Sequence, residues 1–420
     1  MRKAASILMF LIAIVSSTAI YGNSQSQSLK HIKSATAITE VFGDGQKVTA
    51  VAVEYDQDIT NSKLSKSVFT IDGRTITNVY ANTAASKAAQ GVNGKYVIIE
   101  LSPADNGAAT FFQSGRTSAR KEAKASVSQS GEIFTTNGEI YTSVPEAIST
   151  TKVVNMVVDD FKQFEYKDTK TRITLKYNLF IPKNYDKSKS YPMVLFIHDA
   201  GVCGKETDLT LIQGIGAVIW ATPSEQAKHE CFVLAPQYER AIVNDKSEIT
   251  EEGDITVNLV NSITSQYNID RNRLYTTGQS MGCMTSIALN IKYPDLFAAS
   301  FLVAGQWDAS VVAPLAKDQI WIIVAEGDTK AFPGMNDISA ALENQGAKIS
   351  RAKWNARAGE AEKAANVKKM IDEKANIKYV VFEKGTVFPE GKPSGMEHMA
   401  TWKVAYNIEG VRDWLFMQKK

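Results

Sequence analysis

Arg273-Leu274-Tyr275-Thr276-Thr277-Gly278-Gln279-Ser280-Met281-Gly282 is the stretch on which the reading of this chain turns. Leu274 to Thr277 has the pattern of a short buried strand. From Met281 the spacing becomes helical, with Met284, Ile287, Ala288 and Ile291 on one face. Between them lies Gly278-Gln279-Ser280-Met281-Gly282, a G-x-S-x-G at a strand-to-helix junction. So sharp a turn forces the serine into a strained backbone conformation. A Cβ two residues to either side would strike the neighbouring strand or helix, so both flanks are glycine. The hydroxyl of Ser280 is then lifted above a sheet edge. The N–H of Met281 falls at a helix N-terminus, where an oxyanion is stabilised. The pentapeptide alone occurs by chance often enough to decide little; the strand before it and the helix after it give it weight.

Outward from this turn the chain alternates strand and helix. Met193–Ile197 and Cys231–Ala235 are continuous apolar runs of the kind buried on both faces of a sheet. Phe297–Ala304, Ile320–Ala325 and Tyr379–Phe382 continue the series. Helices are expected over Ile255–Tyr267, Asp337–Asn344, Glu360–Lys374 and Met399–Phe416. That order predicts an α/β fold over 159–420, a mainly parallel sheet with helices on both faces, with functional residues in loops at the C-terminal strand ends.

Residues 31–158 read differently. Lys47–Tyr55, Ser67–Ile71, Thr75–Tyr80 and Tyr96–Leu101 are short strands punctuated by turns, with no helical period, which predicts a small all-β sandwich. The stretch from Gly115 to Gly131, with Arg116, Arg120, Lys121 and Lys124 among small polar residues, reads as a solvated loop. Ahead of all this, Arg2 and Lys3 precede an apolar run from Ile7 to Val15 and then small residues. This is the form of a secretory signal peptide over residues 1–22, and it implies a secreted or periplasmic chain with no membrane span after cleavage.

Losing Arg2 and Lys3 leaves 45 basic residues against 45 acidic ones, a balance that argues against nucleic acid or a charged membrane surface as partner. Cys203, Cys231 and Cys283 permit at most one disulfide, and their spacing does not choose the pair. The four histidines are scattered, so no metal site or cofactor is expected.

A serine hydroxyl attacks only when a base takes its proton, and the base needs an acceptor to fix its tautomer. In a fold of this kind both partners follow the nucleophile, the acid first. Only one histidine lies downstream of Ser280, namely His398 in Gly395-Met396-Glu397-His398, after the last expected strand. The acid is expected at Asp328, after strand Ile320–Ala325, with Asp308 and Glu326 as competitors and a plain helix-capping role as the bland reading. Glu397 is expected to be solvated. A second oxyanion donor should come from His198-Asp199-Ala200-Gly201, as the N–H of Asp199 or of Ala200, with His198 orienting that loop. Trp307 is a candidate for one wall of the substrate pocket or, equally, for the core; Gln279 is a candidate for the pocket, and Trp402 for helix packing.

Taken together, Ile269–Gly282, Tyr293–Ala299, Asp328 followed by Pro333, and Glu397-His398-Met399-Ala400-Thr401-Trp402 resemble the secreted α/β-hydrolase esterases. The nearest branch is the one described as polyhydroxybutyrate-depolymerase-like or prolyl-oligopeptidase-like. The resemblance covers roughly 165–417, while 31–155 resembles, on fewer residues, the immunoglobulin-like domain that precedes some of these enzymes. It implies Ser280 as nucleophile, Asp328 as acid and His398 as base. In that family the oxyanion loop usually begins His-Gly, whereas Asp199 follows His198 here, and Cys283 stands where glycine is common.

The expectation is therefore a serine carboxylesterase acting through an acyl-enzyme on a small or polymeric ester, with no cofactor, and with the N-terminal domain as a route to homo-oligomers. A prolyl-oligopeptidase-like peptidase uses the same machinery. A non-catalytic secreted binding protein on a hydrolase fold is the alternative of a different class, motivated by the altered loop at Asp199.

Overall fold

The computed structural model describes residues 31–391 and 395–420. The stretch 1–22, expected to be a signal peptide, lies outside them. The chain divides into two compact units, and the division is not a single cut. One unit takes 49–107 and 124–154 together with the described residues up to 38; the other takes 39–48, 108–123 and 155–420.

Residues 31–155 are built of strands. A five-stranded sheet runs in the order Lys152–Asn155, Ile32–Phe42, Gly45–Ile59, Gly94–Leu101, Ile76–Asn82, and a three-stranded sheet in the order Val144–Ser149, Ser126–Gln129, Phe69–Ile71. In Gly45–Ile59 both faces are largely buried, so Val48, Ala50, Ala52 and Val51, Val53, Tyr55 all enter apolar surroundings. The Tyr55 hydroxyl, taken out of water, is satisfied by Gln129 at 3.0 Å.

The second unit is built on nine strands in the order Phe161–Lys167, Thr174–Phe180, Phe232–Gln237, Tyr191–Ile197, Ile269–Gln279, Ala299–Val303, Ile320–Ala325, Ile377–Phe382, Ile349–Trp354. Thr174–Phe180 is antiparallel to both its neighbours, and the remaining pairs are parallel. Within this sheet Tyr191–Ile197 and Ile320–Ala325 are buried along their whole length, as strands covered by helices on both faces are. Ile349–Trp354 escapes a hydropathy reading because it is an edge strand with Arg351 and Lys353 among its outward residues, a pattern that discourages pairing with other chains.

Where one helix was expected over 399–416 there are two, Glu397–Ala405 and Glu409–Phe416. The break lets the Tyr406 ring lie edge-on to Phe196 and Phe301, with its hydroxyl 3.2 Å from Thr277 Oγ1. Trp414 meets Trp321 edge-on at 5.3 Å and seats the last helix on the sheet. His398 thus sits in the first turn of a helix rather than in a loop.

Candidate active site

Strand Ile269–Gln279 ends at Ser280, and the helix Met281–Lys292 starts at the next residue. Ser280 has φ 52° and ψ −116°, a conformation that side chains avoid. The flanking glycines are forced. A Cβ on Gly282 would lie 1.9 Å from the Ile197 carbonyl oxygen, and one on Gly278 2.5 Å from the Gly282 carbonyl carbon. The Ser280 N–H is anchored on the Val303 carbonyl at 3.0 Å. At the first helical position Met281 has an N–H with no intrahelical acceptor.

Ser280 Oγ lies 2.9 Å from His398 Nε2, and His398 Nδ1 lies 2.5 Å from Asp328 Oδ2. A carboxylate only accepts, so Nδ1 carries the proton and Nε2 is free to accept from the serine hydroxyl. Asp328 is buried, and its other oxygen accepts from the N–H groups of Lys330 and Ala331, at the start of the helix Ala331–Asn344. Both readings of Asp328, helix cap and acceptor of His398, hold at once. Burial pushes its carboxyl up, but the bond and charge of His398 and those two N–H groups outweigh burial and hold it below the ordinary 3.8. The competitors are occupied elsewhere. Asp308 caps the turn at Ser310, and Glu326 pairs with Lys353 at 2.8 Å.

Glu397 overturns the expectation of a solvated side chain. Its carboxylate accepts from Gly327 N–H at 2.9 Å and Gly385 N–H at 2.8 Å. Because the helix begins at Glu397, its side chain points back towards the turn that carries Asp328.

The loop after Tyr191–Ile197 is built around two buried side chains. His198 Nε2 accepts from Tyr238 N–H at 3.0 Å, so Nδ1 bears the proton and donates to the Asp199 carbonyl at 2.7 Å. Burial lowers the basicity of this imidazole, which fits the neutral form. Asp199 caps the short turn Ala200–Val202 through Gly201 N–H at 2.8 Å. Its Oδ1 also receives Gln113 Nε2 at 2.6 Å, and its Oδ2 receives Gln279 Nε2 at 3.1 Å.

A cavity of about 480 Å³ opens over Ser280 and His398. Met281, Met284, Met399 and Trp402 contribute apolar lining, and Arg116, Asp245, Gln306 and Lys330 contribute polar lining. Some expectations need correction here. Gln279 is fully buried beneath the site, bonded to Asp199 and Gln213, and does not line the cavity. Trp307 is a core residue and does not line it either. Trp402 packs into the core as expected and in addition lines the cavity, edge-on to the His398 ring at 5.2 Å. The stretch from Gly115 is not a plain solvated loop. Phe111–Ser114 and Thr117–Arg120 form a hairpin whose turn, Gly115 and Arg116, lines the cavity.

Against this geometry, residues 169–379, half of the chain, match the model of the Esterase family, and residues 34–142 match that of the esterase Ig-like N-terminal domain. The chain belongs to the esterase family. A solved structure described as that of a thermostable esterase is 30% identical, with a TM-score of 0.78; the match covers 92% of this chain and 100% of that one. Shorter matches join this esterase to acetylxylan esterase A of Emericella nidulans, 37% identical over 67 residues, and to probable acetylxylan esterase A of Aspergillus flavus, 36% identical over 85 residues. These cover 15% and 18% of this chain, and 22% and 28% of the two curated relatives, so they span about a quarter of those proteins.

All three cysteines of the esterase are free. Burial pushes the Cys203 thiol up to about 12. Among the described residues, one group of carboxylate and imidazole atoms comes within 4.8 Å, Glu225, His229 and Asp413. Arg412 already holds Glu225 at 2.9 Å, and His229 and Asp413 bond each other at 2.8 Å, so these residues join the short helix Pro223–Lys228 to the last helix. Neither Glu397 nor Gln113 was legible as a site residue, since each reaches the site through a contact more than sixty residues away in sequence.

Proposed function

We propose that this esterase is a serine carboxylesterase in which Ser280 attacks the ester carbonyl. The observation that carries the reading is the unbroken row from Ser280 Oγ through His398 to Asp328, at 2.9 and 2.5 Å. As Oγ bonds to the carbonyl carbon, its proton passes to His398 Nε2, and the Asp328 carboxylate stabilises the imidazolium that forms. Negative charge develops on the former carbonyl oxygen. The N–H of Met281, at its helix N-terminus, and that of Ala200, first in its turn and lining the cavity, are the donors for it. The imidazolium then protonates the leaving alcohol as the C–O bond breaks. Water adds to the acyl-enzyme with His398 as base, and the acid departs with Ser280 restored.

An alkoxide leaves more readily than an amine, and the family is one of esterases, so an ester is the favoured substrate over a peptide. The short stretches shared with two acetylxylan esterases make an acetyl ester the first acyl group to try. The test is hydrolysis of p-nitrophenyl esters of graded acyl length beside a peptide p-nitroanilide, by the wild type and Ser280→Ala. Ester turnover that Ser280→Ala abolishes supports the proposal. Equal turnover by both, or anilide cleavage in the absence of ester cleavage, contradicts it. We also propose that residues 1–22 direct export, which N-terminal sequencing of the mature protein checks: an unprocessed Met1 refutes it.

A further inference from the structure

A buried carboxylate beside an oxyanion site is unexpected, because a negative charge there opposes the one that develops during reaction. Asp199 is such a group, 3% exposed and lining the cavity over Ser280. Both its oxygens are engaged by donors from three places in the sequence. Gly201 N–H belongs to the same loop. Gln279 is the residue immediately before Ser280, and its amide also reaches Gln213 Oε1 at 3.1 Å. Gln113 comes from the hairpin Phe111–Arg120, at 2.6 Å. Space has been left for that amide, since a Cβ on Gly201 would lie 2.0 Å from Gln113 Nε2 and 2.7 Å from the Gly115 carbonyl oxygen. The base of the hairpin is fixed as well, by Arg120 with Asp208 at 2.9 Å and with Glu206 at 3.2 Å.

We propose that Asp199, gripped by Gln113 and Gln279, is a positioning residue that locks the loop carrying the Ala200 N–H against the Ser280 turn. The proposal rests on the serine-esterase reading of the site. Each oriented amide dipole also turns its positive end to the carboxylate and offsets its charge where the oxyanion must form. The arrangement explains how a chain with aspartate after His198 keeps an oxyanion loop in place: the side chain that departs from the family pattern has acquired its own donors.

The test uses the full mature chain and p-nitrophenyl acetate. Gln113→Ala removes a donor that touches no reacting atom, and misplacement of an oxyanion donor costs about tenfold or more in kcat. The expected result is that loss in kcat with KM within about twofold. Wild-type kcat, or a loss confined to KM, overturns the proposal. Should Gln113→Ala fail to fold, Gln113→Glu decides. Two carboxyls at this distance must share a proton, so the ratio of its kcat to that of the wild type should fall as pH rises. Among the ionisable groups near Asp199, burial keeps His198, Cys203 and Tyr406 uncharged at neutral pH, while Arg116, Asp245, Lys330 and His398 line the same cavity in both enzymes and enter the kcat of each alike. A ratio that does not change with pH overturns the proposal. Ser280→Ala, run beside them, tests the underlying reading separately: if it hydrolyses the ester as the wild type does, the site itself has been misassigned whatever Gln113 does.

Discussion

The carboxylate of Glu397 accepts the N–H of Gly327 at 2.9 Å, and so ties the helix that carries His398 to the turn that carries Asp328. The same side chain takes the Gly385 N–H at 2.8 Å. Seventy residues of chain separate this helix from that turn, and the His398–Asp328 contact needs them in register. Gly327 has no side chain because a Cβ there would lie 2.2 Å from the Glu397 carboxyl carbon. Removing the tie in Glu397→Ala leaves two N–H groups without their acceptor and lets the imidazole drift. The expected outcome is a fall in kcat of about tenfold, with Glu397→Gln, which keeps one acceptor oxygen, in between. Steady-state kinetics on a p-nitrophenyl ester, with circular dichroism to confirm the fold, measures this.

The glycines around Ser280 answer to sterics rather than to chemistry. Gly282→Ala puts a methyl group 1.9 Å from the Ile197 carbonyl oxygen, a contact only backbone movement can relieve. Destabilisation of about 3 kcal/mol is expected, at the upper end of what overpacking costs, and urea unfolding should show it. Gly107→Ala, where the nearest atom is the Arg74 Cδ in ordinary contact at 3.5 Å, is the control and should be nearly neutral.

Asp328 links the site to acid stability. Its carboxyl sits below the ordinary 3.8 when folded, so the unfolded chain binds its proton more readily than the native one does. The stabilisation is therefore present above 3.8 and is lost as pH falls through the lower folded value. Asp328→Asn should lose less stability than the wild type over that acid range, while its kcat at neutral pH drops by about 10⁴-fold. Thermal melts across the acid range, with kinetics at neutral pH, test both halves.

Asp318 has the opposite sign. Burial, with a contribution from the charge of Asp295, pushes its carboxyl up to about 6. The folded state then holds the proton more tightly than the unfolded chain, so stability declines as pH rises from 3.8 to about 6. Asp318→Asn should melt higher than the wild type at neutral pH and lose that advantage below the ordinary carboxylate range. Activity should not change.

What could be read from the residues in order was whatever backbone geometry or alternation imposes locally. The turn at Ser280 was legible because its glycines are forced by atoms within a few residues and one neighbouring strand. Asp328 and His398 followed from strand order and from the absence of any other downstream histidine. Contacts made by folding lay outside that reach. Glu397 looked solvated because adjacent side chains in a loop rarely pair, yet the helix starting there aims it across to Gly327. Trp307 and Gln279 stand next to the right loops in sequence but turn into the core, whereas Trp402, one helical turn after His398, faces the cavity. The hairpin Phe111–Arg120 carries no motif at all, and only its seat against Gly201 gives Gln113 a role.

Whether Ser280 is the nucleophile is decided by treating the native protein with a fluorophosphonate and locating the adduct by peptide mass spectrometry. One phosphonylated residue is expected, Ser280, with labelling lost in Ser280→Ala and strongly slowed in His398→Ala. An adduct on another residue, or an unlabelled protein that still hydrolyses esters, would contradict it.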